Sequence, residues 1–128
     1  MTMIDQTIII PNTTAKQVYE ALIDSKTHSQ IIGDIATIDP VEGGYYSTFS
    51  GYSDGQTIKL VPGKSIVQTW RASDWPDDHY STITFDLSDT PTGTEIHFTQ
   101  VNLPKGSQAE FEAGWQDNYW KPMMEYFA

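Results

Sequence analysis

Three consecutive pieces decide the fold: the run Tyr80-Ser81-Thr82-Ile83-Thr84-Phe85-Asp86-Leu87, the turn Pro91-Thr92-Gly93, and the run Thr94-Glu95-Ile96-His97-Phe98-Thr99-Gln100-Val101. In the first run Ile83, Phe85 and Leu87 share one face, and Thr82, Thr84 and Asp86 share the other. In the second, Ile96, Phe98 and Gln100 oppose Glu95, His97 and Thr99. Side chains alternate across a strand, so a period of two with one apolar face marks antiparallel strands covered on one side. The turn between them carries the residues that fix φ or permit φ > 0.

The same pattern continues towards the N-terminus. Ile66, Gln68 and Trp70 oppose Val67, Thr69 and Arg71. Turn signals at Pro40 to Gly44, Ser53-Asp54-Gly55, Pro62-Gly63 and Pro76-Asp77-Asp78 separate strands expected over 35–39, 44–50, 56–61, 65–72, 80–87 and 94–101. Ahead of them, Ile4, Ile8, Ile9 and Ile10 mark a strand ended by Pro11. Thr14 and Gln17 form a capping-box signature for a helix with the stripe Val18, Tyr19, Leu22 and Ile23. Ser25 is expected to cap a second, short helix over 26–32, stopped by Gly33. Behind the strands, Phe111, Trp115, Tyr119 and Met123 recur every four residues within a long helix from Ser107 to Tyr126. In that helix Gly114 is expected to allow close approach to the sheet, and Pro122 to kink the last turn. The order β-α-α-β6-α is an α+β pattern.

Composition narrows the function. The chain has 128 residues and a mass of 14.4 kDa, one domain's worth over 1–128. It has no cysteine, so disulfides and thiolate chemistry are excluded. Lys and Arg number 7 against 17 Asp and Glu, and the net charge is −10. The cations are scattered, which excludes a duplex nucleic acid or an anionic membrane as main partner. No apolar stretch approaches the ~20 residues of a membrane span. The N-terminus lacks a signal-peptide pattern, so a cytoplasmic location is expected. A mean hydropathy of −0.41 sits beside five Phe, four Trp and seven Tyr, so the rings are the unusual feature.

Beyond its alternation, the chain carries a distinctive set of words. Ile66-Val67-Gln68-Thr69-Trp70-Arg71 is followed by Trp75-Pro76 and by His79-Tyr80-Ser81-Thr82-Ile83-Thr84. Gly43-Gly44, the turn Gly93-Thr94-Glu95, Gly114-Trp115 and Tyr119-Trp120 complete the set. In this order and spacing the chain resembles the C-terminal-type domain of the activator of heat-shock protein 90 ATPase family, within the START-like (SRPBCC) helix-grip group. The resemblance implies a curved antiparallel sheet gripping the long C-terminal helix, often with a cavity between them. It also implies two functions, a site for small apolar molecules or an interaction with an Hsp90-type chaperone. Some members of the wider group are cyclases or hydrolases.

On that fold, the residues expected to face a cavity are Tyr46, Thr48, Ile58, Gln68, Trp70, Phe85, Phe98, Gln100, Trp115, Tyr119 and Met123. Aromatic walls with a few polar groups are what ligand pockets are made of, and equally what a packed core is made of. Trp75, His79 and Arg71 are candidates for the cavity mouth or an interface, and Trp75 alternatively packs on the helix start. On the outer face, Arg71 is expected to pair with Asp86 or Glu95. Neither a metal nor a cofactor is expected, because His28, His79 and His97 have no ligand spacing and no phosphate loop occurs. The histidines are expected at the surface or in turns. No nucleophile elbow or buried carboxyl pair is visible, so a binding role is favoured over catalysis. A monomer or weak dimer is expected.

Overall fold

A computed structural model describes residues 3–128. Strand β1 (Met3–Pro11) is followed by helices α1 (Ala15–Ile23) and α2 (Ser25–Ile32). Six strands come next: β2 (Thr37–Ile38), β3 (Tyr45–Thr48), β4 (Ser53–Val61), β5 (Ser65–Ala72), β6 (Ser81–Asp89) and β7 (Gly93–Val101). The chain ends in α3 (Gln108–Trp115), a π turn (Gln116–Trp120) and α4 (Lys121–Tyr126). The strands form one antiparallel sheet in the order β1-β7-β6-β5-β4-β3-β2. This is the α+β helix-grip arrangement, with the sheet curved around the C-terminal helix.

Local chemistry explains the element boundaries. Thr14 accepts from the Gln17 backbone while the Gln17 side chain accepts from the Thr14 backbone, so the capping box forms as expected. The second helix is capped by Asp24 and not by Ser25: the Asp24 carboxylate accepts from the Thr27 N–H at 2.9 Å. Ser25 instead ties the helix to β2, bonding both the N–H and the carbonyl of Ile38. Gly33 closes the helix at φ 70°, as expected.

The alternation holds in β5 to β7 and breaks in β4. Thr57 pairs with Gln68 and Lys59 with Val67, so Ile58 is the extra residue of a bulge. Its side chain is thrown outwards and is 52% exposed, while Thr57 takes the inward place. Ile58 therefore does not face the cavity as the alternation predicts. At Gly55 a Cβ atom would lie 1.9 Å from the Thr69 carbonyl oxygen. The missing side chain lets the Tyr46 ring cross β4, and its hydroxyl donates to that carbonyl at 2.5 Å.

The C-terminal helix keeps α dihedrals at Trp120 and Lys121, and the irregularity ahead of Pro122 is a widened turn. The N–H of Lys121 bonds the Gln116 carbonyl, five residues back. This widened turn ends beside Pro122, which removes one donor where the bonding register is already changing. The inserted residue also turns both Tyr119 and Trp120 inward, ahead of Met123. Gly114 makes no close approach to the sheet. A Cβ there would meet only the Asn118 amide, at 3.9 Å.

Candidate functional site

Inside the grip the rings close on one another. Trp115 lies 4.4 Å from Phe98 and 4.7 Å from Tyr119, centroid to centroid. Trp70 lies 5.9 Å from Trp115. Phe98, Gln100 and Met123 are wholly buried in this packing and line no open space. The void left beside Tyr46, Thr48, Gln68, Trp70, Phe85 and Tyr119 is only about 10 Å³, too small for an organic guest.

The inward polar groups are spent on one another. Gln100 accepts from the Trp115 indole at 2.8 Å and donates to Ser81 Oγ at 2.9 Å. Gln68 donates to Thr57 Oγ1, and the hydroxyls of Thr48 and Ser53 are hydrogen-bonded. His28 is buried, against the expectation of a surface position, because α2 turns it towards the last helix. Its ring bonds the Leu22 carbonyl and the Tyr119 hydroxyl, each at 2.9 Å. Burial pushes the Tyr46 and Tyr119 hydroxyls up, so both stay protonated.

An aromatic cleft opens at the mouth instead. A cleft of about 480 Å³ runs between the helix and the β3–β4 turn, within the size range of small-molecule sites. Trp70, Trp115 and Tyr119 form its floor, joined by Phe49, Tyr52, Phe111, Gly114 and Asn118. Asp34 and Glu110 stand in the lining. Of the residues expected from sequence, these three floor rings are the ones that reach the cleft. The remainder of the lining was hidden because 44–50 reads as plain strand. Phe49 and Ser50 instead adopt left-handed conformations, with φ of 53° and 56°. A bulky residue rarely does so, and such geometry clusters at functional sites. The turn is held by Ser50, which donates to Asp34 Oδ1 at 2.5 Å, and by its own N–H to the Ile35 carbonyl. The Ser50 hydroxyl and the Ile35 N–H, both donating to Oδ1, hold the Asp34 carboxyl below the usual range.

Trp75 does not line the cleft and instead packs on the start of the C-terminal helix. It packs 5.3 Å from Trp70, 5.4 Å from Phe111 and 5.4 Å from His79. Arg71 does not pair with Asp86 or Glu95. Its guanidinium turns into the Trp75 loop, donating to the carbonyls of Trp75 and Pro76 at 2.7 and 3.1 Å. It also lies over the Tyr80 ring. His79 bonds the Asn102 carbonyl and His97 bonds Asp5 on the polar face. Among the described residues no cluster of metal-ligating side chains occurs, and no helix is long and apolar enough to cross a membrane.

A family model described as activator of Hsp90 ATPase homolog 1-like protein matches residues 12–128. The chain belongs to this family. Human activator of 90 kDa heat shock protein ATPase homolog 1 is 30% identical over 108 residues, covering 84% of this chain and 30% of its own length. The chain thus spans about a third of the length of the curated activator relatives it matches. Among solved structures, an HSP90 activator from Plasmodium falciparum superposes with a TM-score of 0.85 at 24% identity, over 93% of this chain and 91% of that one. A dimer from Colwellia psychrerythraea of the same family name superposes at 0.77 with 22% identity, over 91% and 90%. Both likenesses support the activator-type helix-grip fold.

Proposed function

We propose that this member of the activator family is a small-molecule binding module. Its working site is the mouth cleft and its guest is a small apolar or aromatic compound. The observation that carries this is the aromatic cleft of about 480 Å³ set against a closed interior. Rings grip a flat guest by stacking and edge contacts, each pair adding about 0.5–1.5 kcal/mol beyond area burial. Binding is favoured over catalysis because the inner polar side chains already satisfy one another. The test is calorimetry with a panel of naphthyl and indolyl compounds against the intact chain. Saturable one-to-one binding, lost in Gly114→Phe, is expected. Absence of binding across the panel up to its solubility limit overturns the reading.

A second reading is docking on an Hsp90-type chaperone and stimulation of its ATPase. It is favoured by the curated relatives, which are named as activators of that ATPase. It is also favoured by Ile35, Val41, Tyr45 and Ile58, large apolar side chains exposed along the β2–β4 end of the chain. An acidic domain would meet a basic partner patch through charge complementarity. Co-sedimentation with the host's chaperone, and its ATPase rate with and without this domain, decide the point. No binding and no rate change would remove this reading.

A further inference from the structure

The charge of the cleft is as one-sided as its walls are aromatic. Its charged lining residues are Asp34 and Glu110, and no Lys, Arg or His lines it. Neither carboxylate belongs to an ion pair among the described residues. Asp34 is held ionised by two hydrogen bonds to one oxygen, Oδ1. Glu110 and the Tyr52 hydroxyl line the same rim, and that hydroxyl is pushed up first by burial, then by Asp74 and Glu110. An anionic guest would find no counter-charge here. A neutral guest with many polar groups would find chiefly the Asn118 amide and the Tyr52 hydroxyl, since the Trp115 indole and the Tyr119 hydroxyl are already committed inwards.

Ring faces are negative and attract cations, with the effect growing as the charge is desolvated. A net charge of −10 adds a long-range field of the same sign. Resting on the cleft as the binding site, we infer that its guest class is a cationic aromatic: an amine or quaternary ammonium joined to a ring. The ring lies on Trp70, Phe111 and Trp115, and the cationic group faces Asp34 and Glu110.

Three matched probes test this on the intact chain: (2-naphthylmethyl)trimethylammonium, 2-naphthalenemethanol and 2-naphthalenesulfonate. Affinity is measured by calorimetry, and the site by the NMR shift of the Trp115 indole N–H. The cation is expected to bind at least about tenfold more tightly than the alcohol, and the sulfonate more weakly than both. Added salt should weaken the cation alone. Asp34→Asn disturbs the turn held by Ser50, so Glu110→Gln is the cleaner variant. It should lower the cation's affinity by roughly two- to fivefold and leave the alcohol's unchanged. Equal affinity for cation and alcohol would overturn the inferred class while leaving the cleft as a binding site. No binding by any probe, with no shift at Trp115, would overturn the cleft itself and this inference with it.

Discussion

The Nε2 nitrogen of His28 lies 2.9 Å from the hydroxyl of Tyr119, and the hydroxyl is the donor. The direction follows from the other ring nitrogen. Nδ1 faces the Leu22 carbonyl, which can only accept, so the proton sits on Nδ1 and Nε2 offers a lone pair. The bond therefore joins α2 to the π turn through a neutral imidazole.

This arrangement makes stability depend on pH. Burial holds the His28 pKa below its usual value. The unfolded chain then takes up a proton at a pH where the folded chain does not. Stability is fully present above the unfolded value, roughly 6.5, and is lost as pH falls from there towards the folded value. The urea midpoint is expected to drop between about pH 7.5 and 5.5, and His28→Gln should flatten that slope. Asp24 and Asp34 are also shifted, but downwards from a carboxylate value, so their losses begin only below about pH 4. Identical slopes in the variant and the parent would contradict the assignment.

Gly55→Ala should be among the costliest single changes. The new Cβ would meet the Thr69 carbonyl, so β4 must move or the Tyr46 bond must break. A loss of at least ~2 kcal/mol is expected from overpacking and the broken bond together. Denaturant titration checks it, and a midpoint within error of the parent would show that the Tyr46 crossing is not needed.

Gly114 behaves oppositely. Its site faces open space, so Gly114→Ala should raise stability by about 0.5–1 kcal/mol through helix propensity alone. Gly114→Phe should fold equally well and fill the cleft. Thermal melts distinguish this from a close-packed glycine, for which both changes would destabilise.

The bulge in β4 predicts a contrast between neighbours. Ile58→Lys should change stability by no more than about 0.5 kcal/mol, since the side chain is already in water. Thr57→Val, at the adjoining position, leaves the buried Gln68 amide without its partner. That should cost about 1–3 kcal/mol. Urea midpoints of the two variants measured side by side decide the register.

These residues also show what the sequence could reveal. Period two is visible in β5, β6 and β7 because each has one face against the helices and the β5–β6 and β6–β7 ladders run without interruption. The capping box at Thr14 and the left-handed stop at Gly33 are local chemistry, so four residues suffice to find them. Ile58 was misplaced because a bulge is decided by the partner strand, not by the residue. His28 was misplaced because its burial depends on where α2 docks. The cleft was least legible. It depends on two non-glycine residues in left-handed conformation at 49 and 50, which no turn signature announces. The overall architecture is written in the words of the resemblance, while the cleft is set by contacts between segments distant in sequence.

One consequence of the sheet order concerns how the chain reaches this state. Strand β1 pairs along its whole length with β7, joining residues 3–11 to residues 93–101. This pairing spans most of the fold in sequence, and such distant closure is slow compared with local hairpins. During synthesis at ~5–20 residues per second, an isoleucine-rich segment remains without its partner until most of the chain has emerged. The hairpins β3 to β7 can assemble first, each from neighbours in sequence. Closure by β1 has to wait for β7. Until β7 emerges, the unpaired isoleucines of β1 are therefore an exposed, aggregation-prone segment of the growing polypeptide.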